Sequence, residues 1–340
     1  MRRDLVIGAA VPVLALGSAA ALLLTPLTDP DLSSHPNASA SSADATARID
    51  AVMAAEADLE LQPGGGSIAL LTGHRTDTAV VIFHGLTAIP EQFRLIGEAY
   101  LAQGYNVWIP RLPSHGLANK MTDALSGLTA AAMRDFADRS IDIGAGLGTK
   151  LIVVGLSGGG SLGLWAGVER PEVSRTVLIS PLLLPVGYQA WQMRALVRAL
   201  RVLPTDIYAW HDGVVKDTDT RAWGYPRDSY KAVSAFLSLT HWADAKASRT
   251  LYPMASPVVL VRNDADQVVD PGYAEAFIRQ MVAPENLTVI GIPASLGLSH
   301  DFVGFQKTNP SYAHLAEGYR YLALALGIPI PDPTPSASGS

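Results

Sequence analysis

The sequence predicts an α/β fold built on a mostly parallel sheet, for two reasons. Short runs rich in Val, Ile and Leu alternate with stretches of helical pattern along most of the chain. The apolar runs are nearly continuous, which is typical of strands buried on both faces of a parallel sheet. Strands and helices that alternate in this way place helices on both faces of the sheet.

The apolar runs predict these strands: Ile68–Leu71, Ala79–Phe83, Asn106–Pro110, Leu151–Gly155, Thr176–Ser180, Val258–Arg262 and Leu287–Ile292. The intervening stretches predict these helices: Glu91–Gln103, Thr129–Ala145, Leu162–Glu169, Gly272–Met281 and Ser311–Leu326. From about 182 to 250 no strand pattern is present, and the sequence there is helical and rich in tryptophan. An insertion of this kind between two strands predicts a helical cap over the sheet.

Composition narrows the possible partners. The 340-residue chain is 49% hydrophobic, 16% charged and carries a formal net charge of −6. Because no Lys/Arg-rich block occurs beyond the extreme N-terminus, we expect no nucleic-acid partner. The absence of cysteine excludes disulfides, thiolate catalysis and cysteine-ligated metals. No cluster of His, Asp and Glu has the spacing of a metal site, so we expect neither a metal nor another cofactor.

The N-terminus has the pattern of an export signal. Arg2 and Arg3 precede an apolar run from Leu5 to Leu24, and about 20 residues is the length needed to cross a bilayer as a helix. Small residues lie inside this run and not after it, which favours an uncleaved signal anchor over residues 1–27. A cleaved signal peptide and a buried helix remain alternatives. The arginines predict that the rest of the chain is exported, either anchored to the membrane or released into the periplasm or medium.

The remaining boundaries follow from composition. Residues 28–47 are rich in Pro, Ser, Ala and Asp, and this predicts a flexible linker. Residues 48–328 are expected to form one folded domain that contains the cap. The segment 329–340 is predicted to be a disordered tail.

The strongest motif is a Gly-x-Ser-x-Gly sequence, in which Ser157 lies between Gly155 and Gly159. A predicted buried strand runs directly into it and a helical stretch follows. This context is typical of a tight strand-to-helix turn that exposes a strained nucleophilic serine. The alternative is a glycine-rich turn with an incidental serine. We predict that Ser157 is a nucleophile.

A second motif, His84-Gly85-Leu86, follows an earlier strand. An oxyanion hole needs two backbone N–H groups directed at the developing negative charge. We predict that Gly158 and Leu86 supply them. His84 is expected to shape the loop and to have no catalytic role.

The third predicted site element is a carboxylate at the end of the strand Val258–Arg262. A catalytic histidine needs a carboxylate to hold its tautomer and to stabilise the imidazolium. Asp266 is the preferred candidate and Asp264 the alternative. Asp270 precedes a proline and is predicted to be a helix N-cap.

The fourth predicted site element is His300, in the loop after the last strand. A histidine there reaches the serine as a general base, and it completes the chain order Ser, Asp, His. Among the other histidines, His115 is expected to shape the rim of the site. Asp301 is expected to cap the segment that follows.

These motifs together resemble the α/β-hydrolase superfamily over about residues 66–328. The similarity is closest to the capped group of bacterial carboxylesterases, monoacylglycerol lipases and serine-aminopeptidase-like hydrolases. The resemblance implies a mostly parallel eight-stranded sheet and an acyl-enzyme mechanism, and it favours Asp266 over Asp264. In this chain Ser114 replaces the first glycine of the family's Pro-Gly-His-Gly loop, and Gly158 replaces a bulkier residue beside the nucleophile.

The resulting expectation is a serine hydrolase that cleaves carboxylic esters, of the carboxylesterase or lipase type. Amidase or peptidase, thioesterase and acyltransferase chemistry on the same triad remain alternatives, as does a non-catalytic binding protein. The aromatic and aliphatic residues of the cap suit an apolar acyl chain. They equally suit the core of the cap itself, and the sequence leaves this choice open.

Overall fold

The structure, a computed structural model, describes residues 30–211 and 223–333. The strands of these residues are β1 (Ile68–Leu70), β2 (Thr76–Phe83), β3 (Asn106–Ile109), β4 (Gly148–Leu156), β5 (Val173–Ile179), β6 (Tyr208–Trp210), β7 (Arg227–Ser229), β8 (Val258–Asn263) and β9 (Leu287–Ile292). The helices are α1 (Ser42–Ala57), α2 (Arg94–Ala102), α3 (Ala130–Leu147), α4 (Gly158–Glu169), α5 (Ala190–Val202), α6 (Tyr230–Ala247), α7 (Pro271–Met281) and α8 (Leu315–Leu326).

The main sheet has the strand order β1-β3-β2-β4-β5-β8-β9. Only β1 runs antiparallel to its neighbour, and the other pairs are parallel. This confirms the predicted fold class, and each predicted strand corresponds to a strand of this sheet. The described residues contribute seven strands where the resemblance implied eight. Upstream of β1, Leu61 forms only an isolated bridge with Leu117, because the chain turns at once through Pro63 and the glycines that follow.

Alternating side chains of the central strands enter two different cores. Val80 and Ile82 of β2 pack on the face that carries α2 and α8. Val81 and Phe83 pack on the opposite face, which carries α1, α3 and α4. Successive side chains of a strand point to opposite faces, so a continuous apolar run supplies both layers. The sheet is therefore held from both sides.

The N-terminal part of the domain differs from the sequence prediction. The flexible linker was predicted over residues 28–47, but the structure packs residues 30–41, here called the strap, against α3 and α4. Leu32 is 1% exposed, and its carbonyl accepts a hydrogen bond of 2.8 Å from Trp165 Nε1. Helix α1 then begins at Ser42, with Ser41 as its N-cap. The folded domain thus begins upstream of the predicted boundary at residue 48.

A buried charge cluster explains why a polar segment packs here. Arg170 is fully buried and contacts Asp138 at 2.7 Å and Asp142 at 2.6 Å. The same two carboxylates accept hydrogen bonds from the strap, from the N–H of His35 at 2.7 Å and from that of Asn37 at 3.0 Å. Buried polar groups are stable only when they are paired, and each partner satisfies the others here.

The cap lies between β5 and β8, as predicted. It contains α5, the antiparallel pair β6–β7 and α6. The predicted absence of strands in this region is wrong, because Tyr208 and Trp210 pair with residues of β7. Arg227 lies 4.0 Å above the Tyr208 ring and supports the pair. Strands of three residues are too short to produce a periodic pattern.

Several predictions concern residues outside the described ranges. The predicted signal anchor over 1–27 lies wholly outside them. The predicted tail over 329–340 lies outside them from residue 334 onward. Among the helices of the described ranges, none has the length and apolar composition needed to span a membrane.

Candidate active site

The predicted site residues follow the carboxyl ends of four strands of the sheet. Leu86 follows β2, Ser157 follows β4, Asp266 follows β8 and His300 lies in the long segment after β9. The carboxyl ends of parallel strands meet at one edge of a sheet, and ligands of open α/β sheets bind there. The fold therefore brings together residues that are far apart in the chain.

Ser157 occupies a strained turn between β4 and α4. Its φ of 54° and ψ of −117° lie in a region that L-residues rarely adopt. Its N–H donates to the Ile179 carbonyl at 3.0 Å, and its carbonyl accepts from the Leu182 N–H at 2.9 Å. Strain of this kind costs of order 1–3 kcal/mol and persists only where neighbours enforce it. The backbone of β5 and the start of the cap enforce it here.

The two glycines of the motif are required by close backbone contacts. A Cβ at Gly155 would lie 2.1 Å from the carbonyl oxygen of Gly159. A Cβ at Gly159 would lie 2.1 Å from the carbonyl oxygen of Phe83, at the end of β2. The turn therefore brings the backbones of β4, α4 and β2 into close contact. The motif predicted the tightness of this turn.

The backbones of Leu86 and Gly158 face each other beside Ser157. A Cβ built on Gly158 would lie 3.3 Å from the Leu86 nitrogen, so any side chain there would crowd this amide. Gly158 is also the first residue of α4, where the helix dipole favours negative charge. The two amides therefore lie close together beside Ser157, where the sequence predicts an oxyanion hole.

His84 orients the Leu86 N–H. The Leu112 N–H donates to His84 Nε2 at 3.1 Å, so the proton of this ring lies on Nδ1. Nδ1 then donates to the Gly85 carbonyl at 2.9 Å. Because a trans peptide holds its C=O and N–H in opposite directions, this bond turns the Leu86 N–H away from His84. The structure thus gives His84 the loop-shaping role that the sequence predicted.

His115 supports the next residue of the same loop. Its Nε2 accepts from the Thr87 N–H at 3.1 Å, and its Nδ1 donates to the Pro113 carbonyl at 2.9 Å. Tyr225 of the cap stacks on the ring, with centroids 6.0 Å apart. Thr87 itself has a positive φ of 65° and needs this support. His115 is completely buried, so it shapes the rim from beneath and does not line the cavity described below.

Both buried histidines are held in the neutral form. Burial, with the nearby His115 ring adding to it, places the pKa of His84 well below its ordinary value. Burial likewise lowers the pKa of His115 to about 4. Protonation of either ring would also place a proton on the Nε2 that accepts a backbone N–H.

This predicts an acid-sensitive fold. In the unfolded chain histidine titrates near pH ~6.5, so below that pH the unfolded state binds protons that the folded state does not. The free energy of unfolding should therefore fall as the pH drops from 7 to 5, by about 2 kcal/mol per histidine. Urea unfolding at a series of pH values measures this slope.

A single variant separates the two buried histidines. His115→Gln should remove about half of the pH slope, because His84 alone then contributes in this way. An unfolding free energy that is the same at pH 5 and pH 7 would contradict the prediction.

Asp266 and His300 are in direct contact. His300 Nδ1 lies 2.7 Å from Asp266 Oδ2, and the side chain of Asp266 is fully buried. Burial would raise the pKa of the Asp266 carboxyl, but the hydrogen bonds from His300 and from the N–H groups of Val268 and Val269 outweigh it. The pKa of Asp266 therefore lies below its ordinary value. An ionised Asp266 fixes the His300 proton on Nδ1 and leaves Nε2 as a base.

The other two acidic residues of this loop point elsewhere. Asp264 pairs with Arg262 at the surface, with Oδ1 2.7 Å from Nε. Asp270 accepts from the Tyr273 N–H at 2.8 Å and caps α7, which confirms its predicted role as an N-cap. Of the two alternatives for the histidine's partner, the structure places Asp266 there.

Ser157 and His300 line the same cavity. His300 Nε2 is buried and makes no hydrogen bond within the described residues. Contacts between a serine and its base are often long and tighten when substrate binds, so this geometry is compatible with the predicted pair.

The cavity has a volume of about 880 Å³ and lies between the sheet edge and the cap. One face of α5 contributes Met193, Leu196, Val197 and Leu200 to its apolar wall. Of the cap tryptophans, Trp210 and Trp223 line the cavity, Trp242 donates to Glu169 at 2.9 Å, and Trp191 is 70% exposed. The aromatic residues of the cap therefore serve partly the cavity and partly the packing of the cap.

Two buried amide side chains near the site carry no sequence signal. Asn263, at the end of β8, donates to the carbonyls of Leu298 at 2.9 Å and Ser299 at 3.3 Å, and so holds the His300 loop. Gln92 contacts both the Gly85 N–H, in the loop that carries Leu86, and the Asp301 carboxylate, one residue after His300. Isolated Asn and Gln residues in a helical or strand pattern look like any polar position, and only the long-range contacts distinguish them.

Comparison with known proteins agrees with the fold described above. A family model described as "Alpha/beta hydrolase family" matches residues 80–305. The chain therefore belongs to the alpha/beta hydrolase family.

The relatives within that family include lipases. A thermostable monoacylglycerol lipase of Bacillus sp. (strain H-257) is 25% identical over 214 residues, which are 61% of this chain and 77% of the lipase. The solved structure of a monoacylglycerol lipase from Paleococcus ferrophilus matches with a TM-score of 0.56 at 17% identity, over 79% of this chain and 98% of the other. A soluble variant of the monoglyceride lipase of Saccharomyces cerevisiae matches with a TM-score of 0.57 at 15% identity, over 77% and 90%.

Proposed function

We propose that this protein is a serine hydrolase that cleaves carboxylic esters with an apolar acyl chain. Ser157 is the nucleophile, His300 the general base and Asp266 the residue that orients it. The N–H groups of Leu86 and Gly158 form the oxyanion hole. The observation that carries the proposal is the hydrogen bond of 2.7 Å between buried Asp266 and His300. His300 lines the same cavity as Ser157.

The chemistry proceeds in two halves. His300 Nε2 removes the proton of the Ser157 hydroxyl as Oγ attacks the acyl carbon, and the two N–H groups stabilise the oxyanion. His300 then gives that proton to the leaving alcohol, and the acyl group stays on Ser157. A water molecule then attacks the acyl-enzyme while His300 Nε2 removes its proton. His300 returns that proton to Ser157 Oγ, and the carboxylic acid leaves.

The substrate class follows from the walls of the cavity. The apolar face of α5 suits an acyl chain, and a volume of about 880 Å³ lies within the usual range for small-molecule sites. The similarity to monoacylglycerol lipases points in the same direction. We therefore propose a lipid-like ester as the substrate.

The proposal is tested with p-nitrophenyl esters from acetate to palmitate, assayed beside an octanoyl anilide and an octanoyl thioester. We expect ester hydrolysis with a higher kcat/KM for octanoate than for acetate, because each buried methylene contributes about 0.8 kcal/mol. Equal kcat/KM across the series would contradict an apolar acyl pocket. Turnover of the anilide or thioester without turnover of esters would assign the triad to amide or thioester cleavage.

A further inference from the structure

Gln92 joins two loops that are far apart in the sequence. Its Oε1 accepts from the Gly85 N–H at 3.3 Å, in the loop that carries Leu86. Its Nε2 donates to Asp301 Oδ1 at 2.7 Å, one residue after His300. The side chain is 2% exposed and lines the cavity wall. One amide side chain therefore connects the loop that carries Leu86 to the loop that carries His300.

We propose that Gln92 and Asp301 form a strut that holds the oxyanion hole in register with His300, so that Gln92 is a positioning residue of this enzyme. The inference rests on the proposed serine hydrolase function. The strut acts through the Gly85 and Leu86 backbone on one side and through His300 on the other, and neither side chain takes part in proton transfer.

The orientation of the Gln92 amide is fixed by its partners. The Gly85 N–H requires an acceptor, and the Asp301 carboxylate requires a donor. Only one of the two amide orientations satisfies both. A hydrogen bond to a carboxylate is also stronger than one between neutral groups, so the Asp301 end anchors the side chain.

Asp301 is itself held in place, which makes the strut stiff. Its Oδ1 accepts a second hydrogen bond from the Gly304 N–H at 3.2 Å, and its carbonyl accepts from Asn309 Nδ2 at 2.6 Å. The sequence prediction that Asp301 caps the following segment captures only the Gly304 contact. The contact with Gln92 spans 209 positions in the chain and has no local signal.

The strut matters because catalysis is sensitive to small displacements. The oxyanion hole is built from β2 and β4, whereas His300 lies beyond β9 at the far edge of the sheet. A misplacement of about 1 Å between reacting groups costs as much as 100-fold in rate. The strut joins the two loops directly, in addition to the contacts that each loop makes with its own neighbours.

The test is a double-variant cycle with Gln92→Met and Asp301→Ala. Each single variant should lower kcat about 10- to 100-fold with KM changed less than about threefold, because transition-state geometry is lost and ground-state binding is not. The double variant should be no slower than the slower single variant, because either change removes the same strut. Multiplied losses in the double variant would overturn the proposal.

A swap of the hydrogen-bonding groups separates positioning from folding. Gln92→Glu alone sets two carboxylates against each other and should be slow. Adding Asp301→Asn lets the asparagine Nδ2 donate to the glutamate, at the loss of the longer 3.2 Å contact with the Gly304 N–H, and kcat should rise at least tenfold above that of Gln92→Glu. No recovery in the pair would overturn the proposal. Asn106→Ala removes a buried amide at the opposite edge of the sheet, and it should lower the melting temperature without lowering kcat.

Reaction with a fluorophosphonate probe tests the strut independently of the proposed ester substrate. Its phosphoryl oxygen occupies the oxyanion position when the serine attacks, so its inactivation rate should fall in Gln92→Met as kcat does. A wild-type protein that reacts with the probe but hydrolyses no ester would refute the substrate proposal and still measure the strut. A protein whose Ser157 reacts with neither would overturn both proposals.

Discussion

Replacing Ser157 by alanine should lower kcat on the preferred ester by roughly 10⁴–10⁶-fold, while the protein remains folded. In the proposed mechanism the Ser157 hydroxyl forms the acyl-enzyme, so its removal abolishes the acylation step. The residual rate should reflect binding and the oxyanion hole alone. Initial rates at saturating p-nitrophenyl octanoate measure the loss, and circular dichroism checks the fold.

Ser140→Ala is the matched control for this variant. Ser140 is also buried, but its hydroxyl donates only to the Phe136 carbonyl within α3, at 2.8 Å. We expect its kcat to match that of the wild type. Turnover by Ser157→Ala within tenfold of the wild type would refute the nucleophile and, with it, the proposed mechanism.

The second large effect is expected for Asp266→Asn, which should lower kcat about 10⁴-fold. The amide accepts less strongly than a carboxylate and can present its NH₂ group to His300 Nδ1. That contact favours the tautomer with the proton on Nε2, which cannot accept the proton of Ser157. Single-turnover acylation with p-nitrophenyl octanoate measures this step directly.

Asp264→Asn separates the two acidic candidates that the sequence left at the end of β8. Its carboxylate faces Arg262 at the surface, and an exposed ion pair contributes about 0–1 kcal/mol to stability. We expect kcat to stay near that of the wild type. A greater loss in Asp264→Asn than in Asp266→Asn would transfer the orienting role to Asp264.

The parts of the fold that the sequence predicted correctly are those with a strong local signal. The nearly continuous apolar runs marked the strands of the main sheet, because the central strands are buried on both faces and admit few polar residues. The Gly155 and Gly159 spacing marked the turn at Ser157, because the backbone contacts there exclude any Cβ. The apolar pattern and the steric exclusion of a Cβ both act over a few residues, so a single sequence is enough to predict them.

The features that the sequence did not predict depend on distant partners. The sequence preferred Asp266 over Asp264, and the resemblance to known hydrolases supported this preference. The contact with His300 that distinguishes the two carboxylates spans 34 positions and has no local signal. Residues 30–41 looked like a solvated spacer, because the buried Arg170 that organises their partners lies more than 120 positions away.

That N-terminal strap would limit how far the domain stands from a bilayer, if residues 1–27 are the signal anchor that the sequence predicts. If the apolar run that ends at Leu24 is a membrane anchor, only residues 25–29 separate it from the first residue described on the domain surface. Fully extended, five residues reach at most roughly 18 Å, whereas a free tether to residue 47 would reach roughly 80 Å. The strap would thus keep the catalytic domain close to the lipid surface and within reach of esters that leave it. Removal of the strap itself would leave Asp138 and Asp142 without the hydrogen bonds from His35 and Asn37.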